Sequence, residues 1–123
     1  MRRFLLTIFA SLILTACAQG DAAEVVEKYL EAKVASDADQ LVSLSCKDWE
    51  AQAQLDAAPF ESVDAEIQDM SCKADGESGE YTLVKCEGKI VVAYRGESRE
   101  FNLNESTYRA IEEDGEWKMC GEQ

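Results

Sequence analysis

The chain predicts an α+β domain in which N-terminal helices pack on one face of a curved antiparallel sheet of four strands. Three observations carry this. Apolar residues recur at helical spacing up to Pro59 and alternate after it. An apolar face of even-numbered residues, Thr82, Val84, Cys86, Ile90, Val92 and Tyr94, runs straight through Glu87-Gly88. Two turn signals, Gly96-Glu97 and Asp114-Gly115, then fold the remaining strands back on one another.

The first segment is a targeting signal. Arg2 and Arg3 precede an apolar run from Phe4 to Leu14, and small residues lead from Leu14 through Thr15 and Ala16 to Cys17. This run is shorter than the roughly 20 residues of a membrane-spanning helix. Leu14-Thr15-Ala16-Cys17 resembles the lipobox of bacterial lipoproteins, which implies cleavage before Cys17 and a diacylglyceryl thioether on its sulfur. An ordinary signal-peptide site at Ala16-Cys17-Ala18, releasing a soluble protein from Gln19, is the alternative. The expected organisation is residues 1–16 as signal, 17–20 as lipidated cysteine and short tether, and 21–123 as one domain. The tether holds the domain close to the bilayer, because three extended residues reach only about 10 Å. Ala18 rather than Asp after the cysteine resembles the outer-membrane default where a cell has two membranes; otherwise the cell membrane is expected.

Asp21, with Glu24 three residues on, has the capping-box pattern, and Val26, Tyr29, Leu30 and Val34 form an apolar stripe, so a helix is predicted over 21–35. Glu24 and Lys28 lie four apart on its outer side. Asp37 and Asp39 are candidate caps for a short helix carrying Leu41, Val42 and Leu44. Asp48 is the expected cap of a third helix, with Trp49, Ala53 and Leu55, which Pro59 stops.

Beyond Pro59, Val63, Ala65 and Ile67 share one strand face, while Met70 and Cys72 have the opposite parity, so a bulge is expected at Gln68 and Asp69. A hairpin turn at Glu87-Gly88 would put Lys89, Val91 and Arg95 on the core side, so parity favours one long strand from Tyr81 to Tyr94, bent at Gly88. With a type II′ turn at Gly96-Glu97, Val92 lies opposite Phe101 and Ile90 opposite Leu103. With a type I′ turn at Asp114-Gly115, Ala110 faces Met119 and Glu112 faces Trp117, which groups Tyr108, Ala110, Trp117 and Met119 on the core face.

Cysteine usage matches export. Cys46, Cys72, Cys86 and Cys120 form an even set with no C-x-x-C spacing, which reads as two structural disulfides and not as a redox or metal motif. Three pairings are possible. Cys72 with Cys86 and Cys46 with Cys120 is the expected choice, the first closing the shortest loop and the second tying the chain end to the helices. Without the two signal arginines, ten basic residues stand against 25 acidic ones, a formal charge of −15. Such a surface repels nucleic acid and anionic lipid, and with no His the chain lacks imidazole for acid–base work or metal binding.

The order of elements, the bent long strand and the closing segment Glu113-Asp114-Gly115-Glu116-Trp117 resemble the nuclear transport factor 2-like (NTF2-like, or SnoaL/cystatin-like) family over about residues 21 to 120. The resemblance implies a conical pocket between helices and sheet. In enzymes of that architecture a pocket carboxylate and a tyrosine do the chemistry, a pairing that only Asp69 with Tyr94 or Tyr108 approaches here. Trp49 and Trp117 are further candidate pocket residues. The expectation is a non-enzymatic envelope lipoprotein that binds a small apolar ligand or a protein partner, with no cofactor and no metal. A small lyase or isomerase is the alternative.

Overall fold

A computed structural model describes residues 21–123. The predicted signal, Cys17 and tether lie outside the described residues.

Helix α1, Ala22–Val34, begins where the Asp21 carboxylate accepts a hydrogen bond from the Glu24 amide at 2.8 Å. The cap is one-sided, because Glu24 turns outward to Lys28 at 3.0 Å. Val26, Tyr29 and Leu30 are buried as their spacing predicts, and Val25 joins them. Helix α2, Ala38–Ser43, is capped by Asp37 through the Gln40 amide; Asp39 lies inside its first turn. Helix α3, Glu50–Asp56, corrects one expectation. Asp48 does not cap it but sits within a 3₁₀ turn, Lys47–Trp49, that leads into it. Pro59 occupies a second 3₁₀ turn, Ala58–Phe60, after the helix has ended.

Among the described residues the sheet has five strands where four were expected: β1 Asp64–Ser78, β2 Tyr81–Tyr94, β3 Glu97–Asn102, β4 Thr107–Glu113 and β5 Glu116–Glu122. Nor is it a simple meander. The path runs β1-β2-β4-β5, and β3 pairs with β2 beside it. The length of β2 explains this. β1 fills one of its edges throughout, while the other edge takes β4 along Thr82–Lys85 and β3 along Lys89–Tyr94, on either side of the bend at Gly88.

The bulge expected at Gln68 and Asp69 is present. Register shifts between Gln68 and Ser71, Asp69 adopts a left-handed φ of 55°, and Gly88 faces it across the ladder with φ 101°. The β2–β3 turn falls one residue earlier than expected. Arg95 and Gly96 take the central places with φ 50° and 79°, so Ile90 faces Phe101 and Val92 faces Arg99. The slip is two residues in register, and parity survives it. The β4–β5 turn holds the expected pairs, Ala110 with Met119 and Glu112 with Trp117.

Both disulfides join the expected partners. Cys46–Cys120 ties β5 to the segment after α2, where Ser45 also bridges Met119. Cys72–Cys86 joins directly opposed residues of β1 and β2 with Cα atoms 4.0 Å apart. Around the Gly79-Glu80 turn alone the two would be one residue out of step. A second bulge on β1, between Ala74 and Glu77, takes up the difference.

Candidate functional site

The wedge between helices and sheet, where a conical pocket was expected, is occupied by side chains. Val26, Leu41, Val84, Ala110 and Met119 are wholly buried, and Tyr29, Leu30 and Cys86 are only 1% exposed. Tyr29 crosses from α1 toward α3, where its hydroxyl donates to the Asp56 carboxylate at 2.6 Å and accepts from the Trp49 indole at 3.1 Å. Gln52 donates to the second Asp56 oxygen at 2.9 Å. Burial, with the Asp56 carboxylate beside it, holds the Tyr29 hydroxyl protonated well above its ordinary range. The network gives the Tyr29 hydroxyl, the Trp49 indole and both Asp56 oxygens a partner and pins α3 to the core.

The five candidate pocket residues do not converge. Asp69 is exposed at its bulge, and Tyr94 is 48% exposed at the end of β2. Tyr108 is buried on the core face, its hydroxyl pushed up to about 12 by burial and by the charge of Glu122, against a lowering bond with Ser106. Trp49 belongs to the Tyr29 network. Trp117 is partly buried and lines two clefts, which share no residue with the two that Tyr94 lines. No carboxylate–tyrosine pair of the kind an isomerase needs is assembled from Asp69, Tyr94 and Tyr108.

What the fold does build is a ridge at Trp117 between two open clefts beside the first turns of α1. One, of about 540 Å³, has Val25, Leu44 and Trp117 for apolar walls and the pairs Glu24–Lys28 and Glu116–Lys118 at its rim. Lys118 also donates to the Ser43 carbonyl at 2.7 Å, which fixes its ammonium there. The other, of about 470 Å³, is the mouth of the helix–sheet wedge itself. Ala22 and Ala23 of α1 face Cys72, Ala74 and Thr82 of the sheet across it. These are small residues, so the layers part where Tyr29 and its neighbours cease to fill them. Alternation placed Trp117 on the core face, but α1 and the α2 segment, far off in sequence, supply the rest of the walls. Tyr29, Asp56 and Gln52 were likewise missed as a group, since only the packing of α1 against α3 brings them together.

Neither a family model nor a curated protein matches the chain. Solved structures resemble it at the level of fold. A SEC-C motif containing protein from Rhodopseudomonas palustris superposes with a TM-score of 0.54 at 13% identity, over 83% of this chain and 78% of that one. An NTF2-like protein of unknown function from Pseudomonas putida gives 0.52 at 11% identity, over 80% and 78%. A variant of a protein designated Rd1NTF2_05 gives 0.53 at 12% identity, over 77% and 88%. Helices followed by a curved five-stranded antiparallel sheet, in the same arrangement as these structures, give this chain the NTF2-like fold.

Proposed function

We propose that the chain is a membrane-anchored lipoprotein of the bacterial envelope and that its domain acts by binding, through the clefts on either side of Trp117. The observation that carries the binding reading is the occupied wedge: Tyr29, Leu30 and Met119 fill the space where a substrate would be enclosed, and the two clefts beside Trp117 are open. Open clefts with an aromatic ridge and charged rims suit a protein partner, whose side chains enter from outside, better than an enclosed apolar ligand. Anchoring rests on Leu14-Thr15-Ala16-Cys17, and two acyl chains on Cys17 hold a protein to a bilayer far more firmly than one. Asp21, four positions after Cys17 in the sequence, lines one of the clefts, so the binding ridge stands close to the anchor.

Two measurements test this. Intact mass of the mature protein is expected to give a chain that starts at Cys17 and carries lipid, and Cys17→Ser is expected to release it from membranes. A mature chain that begins at an unmodified Gln19 rejects anchoring. For binding, Trp117→Ala is expected to abolish the cellular function at temperatures where circular dichroism shows the variant still folded, while Asp69→Asn and Tyr94→Phe leave it intact. Loss of function in Asp69→Asn with an unchanged melting temperature would establish catalysis in place of binding.

A further inference from the structure

The two disulfides differ in what surrounds them. Cys46 and Cys120 are 2% and 8% exposed, within the contact between β5 and the helical segment. Cys86 is 1% exposed, but its partner Cys72 is partly open and lines the wedge-mouth cleft with Ala22, Ala74 and Trp117. Cys72 also lies on an edge strand. Among the described residues the outer side of β1 has no strand neighbour, and the Cys72 amide is satisfied by the Glu27 carboxylate of α1 at 3.0 Å. Register shifts on both sides of it, at Gln68–Ser71 and Ala74–Glu77, leave only a short regular ladder around the bond.

We propose that Cys72 is a thiol–disulfide exchange site reached through this cleft, with a dithiol reductant as its partner. A thiolate of the dithiol attacks Cys72 Sγ and forms a mixed disulfide, while the Cys72–Cys86 bond breaks and its electron pair leaves on Cys86 Sγ, which takes a proton. The second thiol, losing its proton, attacks the first sulfur of the reductant and expels the Cys72 thiolate. Two electrons and two protons pass from the dithiol to the cysteine pair. Attack goes to Cys72 because Cys86 lies behind it in the core. Lys73, on the cleft wall, favours an approaching thiolate; Asp21 and Glu77, on the same wall, disfavour an anionic carrier such as glutathione. Reduction frees the edge of the sheet between the two bulges and leaves the Cys46–Cys120 tie in place. The site lies in one of the two clefts that flank Trp117, but its exchange with a dithiol requires neither the lipid anchor nor a partner seated on that ridge.

Graded dithiothreitol on the folded protein, quenched by alkylation and read by peptide mapping, tests it. Cys72 and Cys86 are expected to be labelled at dithiothreitol concentrations at least tenfold below those that label Cys46 and Cys120. Simultaneous labelling of all four, or earlier labelling of Cys46 and Cys120, overturns the proposal. Access is tested by single variants mixed with the aromatic disulfide 5,5′-dithiobis(2-nitrobenzoate). Cys86→Ser, which leaves the Cys72 thiol at the cleft, is expected to react at least tenfold faster than Cys72→Ser, which leaves the Cys86 thiol in the core. Equal rates in folded variants would show that the cleft does not direct the attack; where a variant fails to fold, the wild-type labelling order decides alone.

Discussion

Gly88 is where the bend of β2 is most exposed to a single substitution. Its φ is 101°, and a Cβ built there lies 2.6 Å from the carbonyl oxygens of both Gln68 and Asp69 and 2.8 Å from the Asp69 carbonyl carbon. Those atoms are the backbone of the β1 bulge, so they cannot swing aside as a side chain would. Gly88→Ala therefore meets two costs. A left-handed φ costs an L-residue about 1–2 kcal/mol, and forcing packed atoms apart adds about 1–3 kcal/mol, for a total of about 2–5 kcal/mol. Domains of this size unfold at about 5–15 kcal/mol and lose about 4–8 °C of melting temperature per kcal/mol, so a fall of at least about 8 °C is expected. Gly79→Ala is the control, since Gly79 also has a positive φ, 62°, but open space where the Cβ would go. It should show the first cost alone, about 1–2 kcal/mol. Urea and thermal unfolding followed by far-ultraviolet circular dichroism, with the disulfides intact, measure both. If Gly88→Ala is no more destabilising than Gly79→Ala, the close approach of the bulge to β2 does not hold the bend as argued.

Tyr29→Phe keeps the packing of α1 but leaves Asp56 Oδ2 without its donor and the Trp49 indole without its acceptor, so a loss of about 1–3 kcal/mol is expected in urea melts, with a change in tryptophan emission. Tyr29 and Tyr108 both hold their protons more tightly in the folded chain than in the unfolded one, chiefly through burial. The stability this lends is complete below about pH 10, the ordinary tyrosine value, and is lost as pH rises through about 12 for Tyr108, and higher still for Tyr29. Tyr108→Phe should flatten the fall in melting temperature between pH 10 and 12. The Cys46–Cys120 bond spans 74 residues and Cys72–Cys86 spans 14, so paired replacement by alanine should cost about 4 and about 3 kcal/mol respectively, the longer loop losing more.

Parity of apolar residues was a strong signal here because one face of this sheet is buried and the other is not. It located the unbroken run of β2 through Gly88, the Asp69 bulge and the Ala110–Met119 pair, and it kept Ile90 and Val92 on the core side even where the turn at Arg95-Gly96 was misplaced by a residue. A two-residue slip changes partners without changing faces. Turn chemistry was a weaker guide at that hairpin, since Arg95 adopts a left-handed conformation that its side chain does not advertise. The side-by-side pairing of β3 and β4 on one edge of β2 was hidden, because alternation reports which way a side chain faces and not which strand lies beside it.

Local sequence thus determined the helices, the bent strand and the order of elements, because spacing, caps and turns act over a few residues, and it left three ways to pair the cysteines. Tertiary structure decided the rest. Whether Tyr29 would fill the wedge or border a pocket depended on α3 meeting α1, and whether Cys72 would open onto a cleft depended on small residues of α1 facing the sheet. The walls of the Trp117 clefts come from segments more than 70 residues apart, and no local pattern records a distance that only the packed layers set.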